Sequence, residues 1–177
     1  MNRRTTLKTF LTLTAGVTLL PFCMEDKRKA PILLKNYQLQ GNQEASLEVL
    51  AETIIPTTDT PGARALSSHL FALMMVDECY KKEDREKFLK GLKEFDELCT
   101  NRYKNTFDAM QQAERTALVA AIENKEDIKD EVTSFYRTYK RHVVQHYTSS
   151  EFFLTRVQVY ELAPARWHGC VPVTASA

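Results

Sequence analysis

Asp127-Ile128-Lys129-Asp130-Glu131-Val132-Thr133-Ser134-Phe135-Tyr136-Arg137-Thr138-Tyr139-Lys140-Arg141-His142-Val143-Val144-Gln145-His146-Tyr147 is the stretch on which the fold turns. Val132, Phe135, Tyr136, Tyr139, Val143 and Tyr147 recur at three- and four-residue steps, which places them on one face of a long helix. Working back along the chain, the same spacing returns in Phe88, Leu89, Leu92, Phe95 and Leu98, behind a start at Lys82-Glu83-Asp84 whose acids suit the positive end of a helix dipole. Phe107 to Arg115 reads as a cap leading into a helix through Leu118, Val119 and Ile122. A helix from about Ala63 to Tyr80 is expected to turn Leu66, Leu70, Leu73, Met74 and Val76 to the core, its Met pair serving as packing. Ser46 to Ile55 predicts another, ended by Pro56 and followed by a turn through Thr57-Thr58-Asp59-Thr60-Pro61-Gly62. No alternating run suits a sheet and no repeat is present, so the expectation is an all-α fold, a small helical bundle with an extended C-terminal arm.

The N-terminus reads as something other than that bundle. Asn2-Arg3-Arg4-Thr5-Thr6-Leu7-Lys8 precedes a modestly apolar run from Thr9 to Phe22, and the Arg3-Arg4 pair resembles a twin-arginine export signal, with Thr6 where a Phe is usual. The other readings are an ordinary secretory signal or a short helix packed on the domain. Cys23 after Leu20-Pro21-Phe22 raises a lipid anchor, although Phe22 is bulky where such sites take a small residue. The expected organisation is an export signal over 1–23, a polar linker over 24–44, and the helical domain with its arm over 45–177. The expected location is the periplasm, reached in the folded state, with membrane association through the N-terminus or through a complex left open.

Composition narrows the chemistry. With Arg3, Arg4 and Lys8 set aside, the 24 basic residues become 21 against 23 acidic, so no basic field exists to hold nucleic acid. The five glycines are scattered, whereas a dinucleotide fold needs them clustered to let the backbone approach a pyrophosphate. No cofactor is therefore assigned to this chain, and no Cys-x-x-Cys-His is present for c-type haem.

Three candidate sites remain. His142 and His146 stand at i and i+4, a spacing that chelates zinc, but no third ligand is in register; the alternative function built on them is a free-standing metal-binding protein or hydrolase. An oxidising compartment permits one disulfide, Cys79 to Cys170, tying the tail to the second helix, against three free thiols. Glu151 to Val173 mixes Phe152, Phe153, Tyr160 and Trp167 with Arg166, the composition of an interface hot spot, against an arm that folds back on its own helices. Ser67-Ser68-His69 is not read as a catalytic fragment, since sequence neighbours on a helix face apart.

Leu50-Ala51-Glu52-Thr53-Ile54-Ile55-Pro56-Thr57-Thr58-Asp59-Thr60-Pro61-Gly62-Ala63, Phe88-Leu89-Lys90-Gly91-Leu92, Tyr147 to Phe153 and Pro164-Ala165-Arg166-Trp167-His168-Gly169-Cys170-Val171-Pro172 together resemble the gluconate 2-dehydrogenase subunit 3 family over roughly residues 45 to 173. The resemblance implies a small subunit without catalytic residues of its own. Its partner would be a large FAD-dependent dehydrogenase of the glucose-methanol-choline type, often with a cytochrome c subunit, and the pair would leave through the twin-arginine translocation machinery. FAD would reside in the partner, and the sugar is not assigned by this chain.

Overall fold

The computed structural model describes residues 34–39, 41–158, 160 and 170. Among them run five α-helices: α1 Gly41–Ile54, α2 Ser68–Cys79, α3 Lys82–Tyr103, α4 Gln112–Asn124 and α5 Asp130–Ser149. A 3-10 turn at Phe107–Ala109 joins α3 to α4, and a π-helical turn at Phe153–Val157 follows α5. The all-α bundle is as expected, and no helix of the described residues is long and apolar enough to cross a membrane.

α5 is the column of the bundle, packed along α3 and α2 and touching α1 and α4. Its buried face holds Val132, Thr133, Phe135, Tyr136, Tyr139, His142 and Val143, the periodic residues of the sequence other than half-buried Tyr147, with one threonine and one imidazole added. Phe135 meets Phe88 and Phe95 of α3 at ring-centroid distances of 5.0 and 5.6 Å, and Phe107 closes the cluster 5.2 Å from Phe95. Such tilted aromatic pairs contribute about 0.5–1.5 kcal/mol each beyond the area they bury. Tyr139 is fully buried, and its hydroxyl donates to the Leu47 carbonyl of α1 at 2.6 Å, so the one polar atom it brings into the core is matched.

The seam between α3 and α5 is tight because Gly91 has no side chain. A Cβ at that position would lie 2.5 Å from both the Glu131 carbonyl oxygen and the Phe135 Cβ, closer than such atoms approach. Lys90 with Glu131 and Lys129 with Glu94 form exposed ion pairs along the same seam. Being exposed, they guide register more than they add stability.

Three boundaries differ from the sequence reading. α1 opens at Gly41, inside the stretch read as linker, and the residues before it are docked: the Lys35 and Asn36 backbone N–H groups donate to Asp77 at 2.7 and 2.9 Å, and the Tyr37 hydroxyl donates to the Leu73 carbonyl at 3.1 Å. Burial alone would raise the Asp77 pKa, but these donors and the nearby Arg85 hold it low. α2 begins at Ser68 and not at Ala63, because 63–67 form turns ending in Ser67 at φ 55°. That later start and the burial of Ala72, Leu73, Val76 and Asp77 turn Met74 outward, where it is 45% exposed; it is not a core residue. Phe107 sits in the 3-10 turn as a core plug, and α4 starts after Gln111, whose N–H is taken by the Glu114 carboxylate at 2.9 Å.

The Pro61-Gly62 turn is held by Glu52 of α1, whose carboxylate accepts from the backbone of Thr57 at 2.8 Å and of Arg64 at 3.3 Å. Gly62 lies where a Cβ would be 2.6 Å from that carboxylate. The motif therefore reverses the chain tightly between α1 and α2.

Gly91→Ala is expected to destabilise the bundle by about 1–3 kcal/mol, the range for forcing extra volume into a packed seam, read as a lower Tm or denaturation midpoint. An unchanged midpoint would show that the seam yields without cost.

Candidate functional site

α2 and α5 meet along a seam that carries two of the chain's four histidines, His142 and His146. The i, i+4 pair does lie on one face of α5, but each imidazole is engaged by a different neighbour. His142 Nε2 is 2.9 Å from the Tyr80 hydroxyl, and its Nδ1 is 3.2 Å from Gln145 Oε1. His146 Nδ1 is 3.0 Å from Ser68 Oγ, and the ring lies against Phe71 at 4.9 Å. Among the described residues no group of three metal-ligating side chains converges, so His142 would have to give up one of its two bonds to serve as a ligand, with no third donor beside the pair.

Tyr80 links this seam to a second feature. Arg141 donates a guanidinium N–H to the Tyr80 oxygen, and the same hydroxyl is hydrogen-bonded to His142 Nε2. The Gln145 amide oxygen can only accept, so a neutral His142 carries its proton on Nδ1 and accepts the Tyr80 hydroxyl at Nε2, in a series Arg141, Tyr80, His142, Gln145. The other side of Arg141 opens on a groove between α3 and α5, a cavity of about 300 Å³ lined by Tyr80, Asp84, Lys87, Ser134, Thr138 and Arg141 over a floor of Phe88 and Phe135.

Ser68 and His146 are the nucleophile-and-base combination that the sequence did not reveal, since 78 residues separate them. Ser68 is fully buried, however, so its hydroxyl does not reach a substrate. The pair ties α2 to α5. His69 is also buried, with Nδ1 unpartnered among the described residues.

The remaining expected residues are placed unevenly. Arg3, Arg4, Arg166 and Trp167 lie outside the described residues. Phe152 and Phe153 are half-buried at the start of the π turn, Phe153 edge-on to Tyr147 at 6.0 Å. Val157 and Tyr160 are 54% and 57% exposed. The expected Cys79–Cys170 bridge is not formed: both are exposed free thiols, and the Cys79 sulfur points along its own helix to Met75 at 4.0 Å. Cys99 is buried, which pushes its thiol up to about 12, with Asp96 adding to the shift.

Burial lowers the pKa of His142, His146 and His69; Arg141 adds to the effect at His142, and Arg64 opposes Glu48 at His69. A histidine whose folded pKa lies below its unfolded value near 6.5 keeps its full contribution above that value and loses it as pH falls towards the folded pKa. The Tm is therefore expected to fall between pH 7 and pH 5, and His142→Gln to flatten that slope. An equal slope in the variant would remove His142 from the explanation.

The family profile of gluconate 2-dehydrogenase subunit 3 matches residues 41–164, which takes in all five helices, the seam, the groove and the π turn. No curated protein and no solved structure matches the chain. With the match spanning most of its length, the chain belongs to the gluconate 2-dehydrogenase subunit 3 family.

Proposed function

We propose that this chain is a non-catalytic accessory subunit that binds, stabilises and escorts for export a large FAD-dependent sugar or glucoside dehydrogenase of the glucose-methanol-choline type. The observation that carries the reading is the way the chain leaves the bundle. After α5, the π turn and the residue beyond it hold Val157 and Tyr160 in water beside half-buried Phe152 and Phe153, at the start of the arm that also contains Arg166 and Trp167. Large apolar groups gathered beside arginine are the anchors of protein interfaces, where covering them removes apolar surface from water. Family membership supplies the kind of complex.

Export gives the pairing a physical logic. A flavin enters its protein before translocation, so the holoenzyme must cross folded, and one twin-arginine signal at Arg3-Arg4 serves both chains. A cytochrome c subunit as electron acceptor and a periplasmic destination complete the proposal. FAD belongs to the partner.

Affinity capture of the tagged full chain from native extract is expected to bring down a yellow flavoprotein that releases FAD on denaturation; repeated capture without flavin would overturn the reading. Val157→Asp, Tyr160→Ala, Arg166→Ala and Trp167→Ala are each expected to reduce flavoprotein recovery, by roughly tenfold in affinity at a true anchor, and to leave the Tm of the isolated chain in place. A lowered Tm with unchanged recovery would assign the arm to the bundle's own packing.

A further inference from the structure

Three of the chain's four histidines bear on how one helix is held. His142 and His146 of α5 bond to Tyr80, just past the end of α2, and to Ser68 at its start, at 2.9 and 3.0 Å, while His69 is buried within α2 itself. Among the described residues none of the three rings is bonded to a carboxylate. Each place suits a neutral ring and makes no provision for a charged one. A second proton on His142 turns Nε2 from acceptor to donor, strands the Tyr80 hydroxyl proton and sets a cation beside Arg141, which already donates to the same oxygen. His146 lies against Phe71 and the fully buried Ser68 hydroxyl, and no charge acts on it. Protonation of His69 puts an N–H on buried Nδ1 with nothing to receive it; the charges acting there, Glu48 of α1 and Arg64, are engaged with each other at 3.0 Å. A buried charge without a partner and a buried donor without an acceptor both oppose the charged form.

The segment before α1 is fastened to the same helix. Besides the backbone bonds of Lys35 and Asn36 to the Asp77 carboxylate, the Asn36 amide donates to the Asp77 carbonyl, Lys35 Nζ to Glu78 and the Tyr37 hydroxyl to the Leu73 carbonyl, and all of these acceptors belong to α2. Asp77 is held in its charged form, so acid that charges the imidazoles leaves this fastening intact. From α3, the hydrogen bond that reaches α2 among the described residues is that of Arg85 to the Asp77 carbonyl. The layer that joins α3 to α5, Phe88, Phe95, Phe107 and Phe135, contains no group that titrates.

We propose that α2 is an acid-released latch: below neutral pH it leaves α5 and α1 as a unit, carrying residues 34–39 with it, while the layer between α3 and α5 stays folded. Burial makes all three rings take up a proton less readily in the fold than in the unfolded chain; Arg141 and Arg64 add to this, and the Gln145 bond and Glu48 work against it. Proton uptake therefore drives opening as pH falls, and proton loss drives closing as it rises. Opening of one cooperative unit ahead of the whole is the usual way a native protein yields. The open form bares the apolar surface that α2 covers with Ala72, Leu73 and Val76, so acid converts a closed bundle into one with an exposed apolar face. The latch needs neither partner nor ligand, and it stands whether or not the chain escorts a flavoprotein.

Amide hydrogen exchange of the full-length chain at pH 7 and pH 5, corrected for the intrinsic rates, tests this. Amides of α2 and of residues 34–39 are expected to lose protection relative to those of α3 by roughly tenfold or more, the effect of one extra proton bound across one pH unit, while α3 and residues 132–139 keep theirs. A thiol reagent that works in acid gives a second reading: Cys99, buried in α3, is expected to stay unreacted at pH 5 while α2 opens. The double variant His69→Met, His142→Gln is expected to keep α2 protected at pH 5. Unchanged protection of α2, equal loss in α2 and α3 with Cys99 reacting, or undiminished acid opening in the double variant would overturn the proposal. The wild-type profile decides the question even where the double variant does not fold.

Discussion

The close approach of α3 to α5 at Gly91 is the constraint from which the rest of the molecule follows. With no Cβ there, the α5 backbone at Glu131 and the Phe135 side chain come directly against α3, and the two longest helices share one aromatic layer. That layer fixes the rotation of α5 about its own axis. Once it is fixed, Tyr139 must point at α1, His142 and His146 at α2, and Ser134, Thr138 and Arg141 at the groove. A residue with a Cβ at 91 would separate or rotate α5, and every one of these assignments would shift together.

The polar groups inside the bundle are used as fasteners. Asp77 collects the chain before α1, Glu52 closes the turn after it, and Ser68, Tyr80, His142 and His146 join α2 to α5. Glu52 is matched by near neighbours in sequence, and the others by partners far away. Buried polar networks of this kind specify a single arrangement of helices more than they add stability. The reactive appearance of Ser68 beside His146 is a by-product of that role, because a fully buried hydroxyl bonded across a helix seam is part of the packing.

What the bundle presents outward is of two kinds. One is apolar and lies at the π turn, where Val157 and Tyr160 remain in water after α5 has finished its helical hydrogen bonding. The other is polar, in the groove beside Arg141. The first leaves apolar side chains in water, and the second is lined by charged and hydroxyl groups. They sit on opposite terms with water.

The sequence by itself determined the helices and most of their inward faces, because a 3.6-residue period written in Phe, Tyr, Leu and Val survives whatever tertiary contacts are made. It also carried the family, through the Ile-Ile-Pro-Thr and Pro-Gly stretch, whose turn geometry is local. It misplaced Met74 and the start of α2, since the turns through Ser67 depend on bonds from Glu52 and Ala63 that periodicity does not encode. Ser68 with His146 and Arg141 with Tyr80 were decided only by the tertiary structure. Each requires two helices distant along the chain to meet at one rotation, and that rotation is set by a missing side chain at Gly91, whose reach across space no one-dimensional pattern reports.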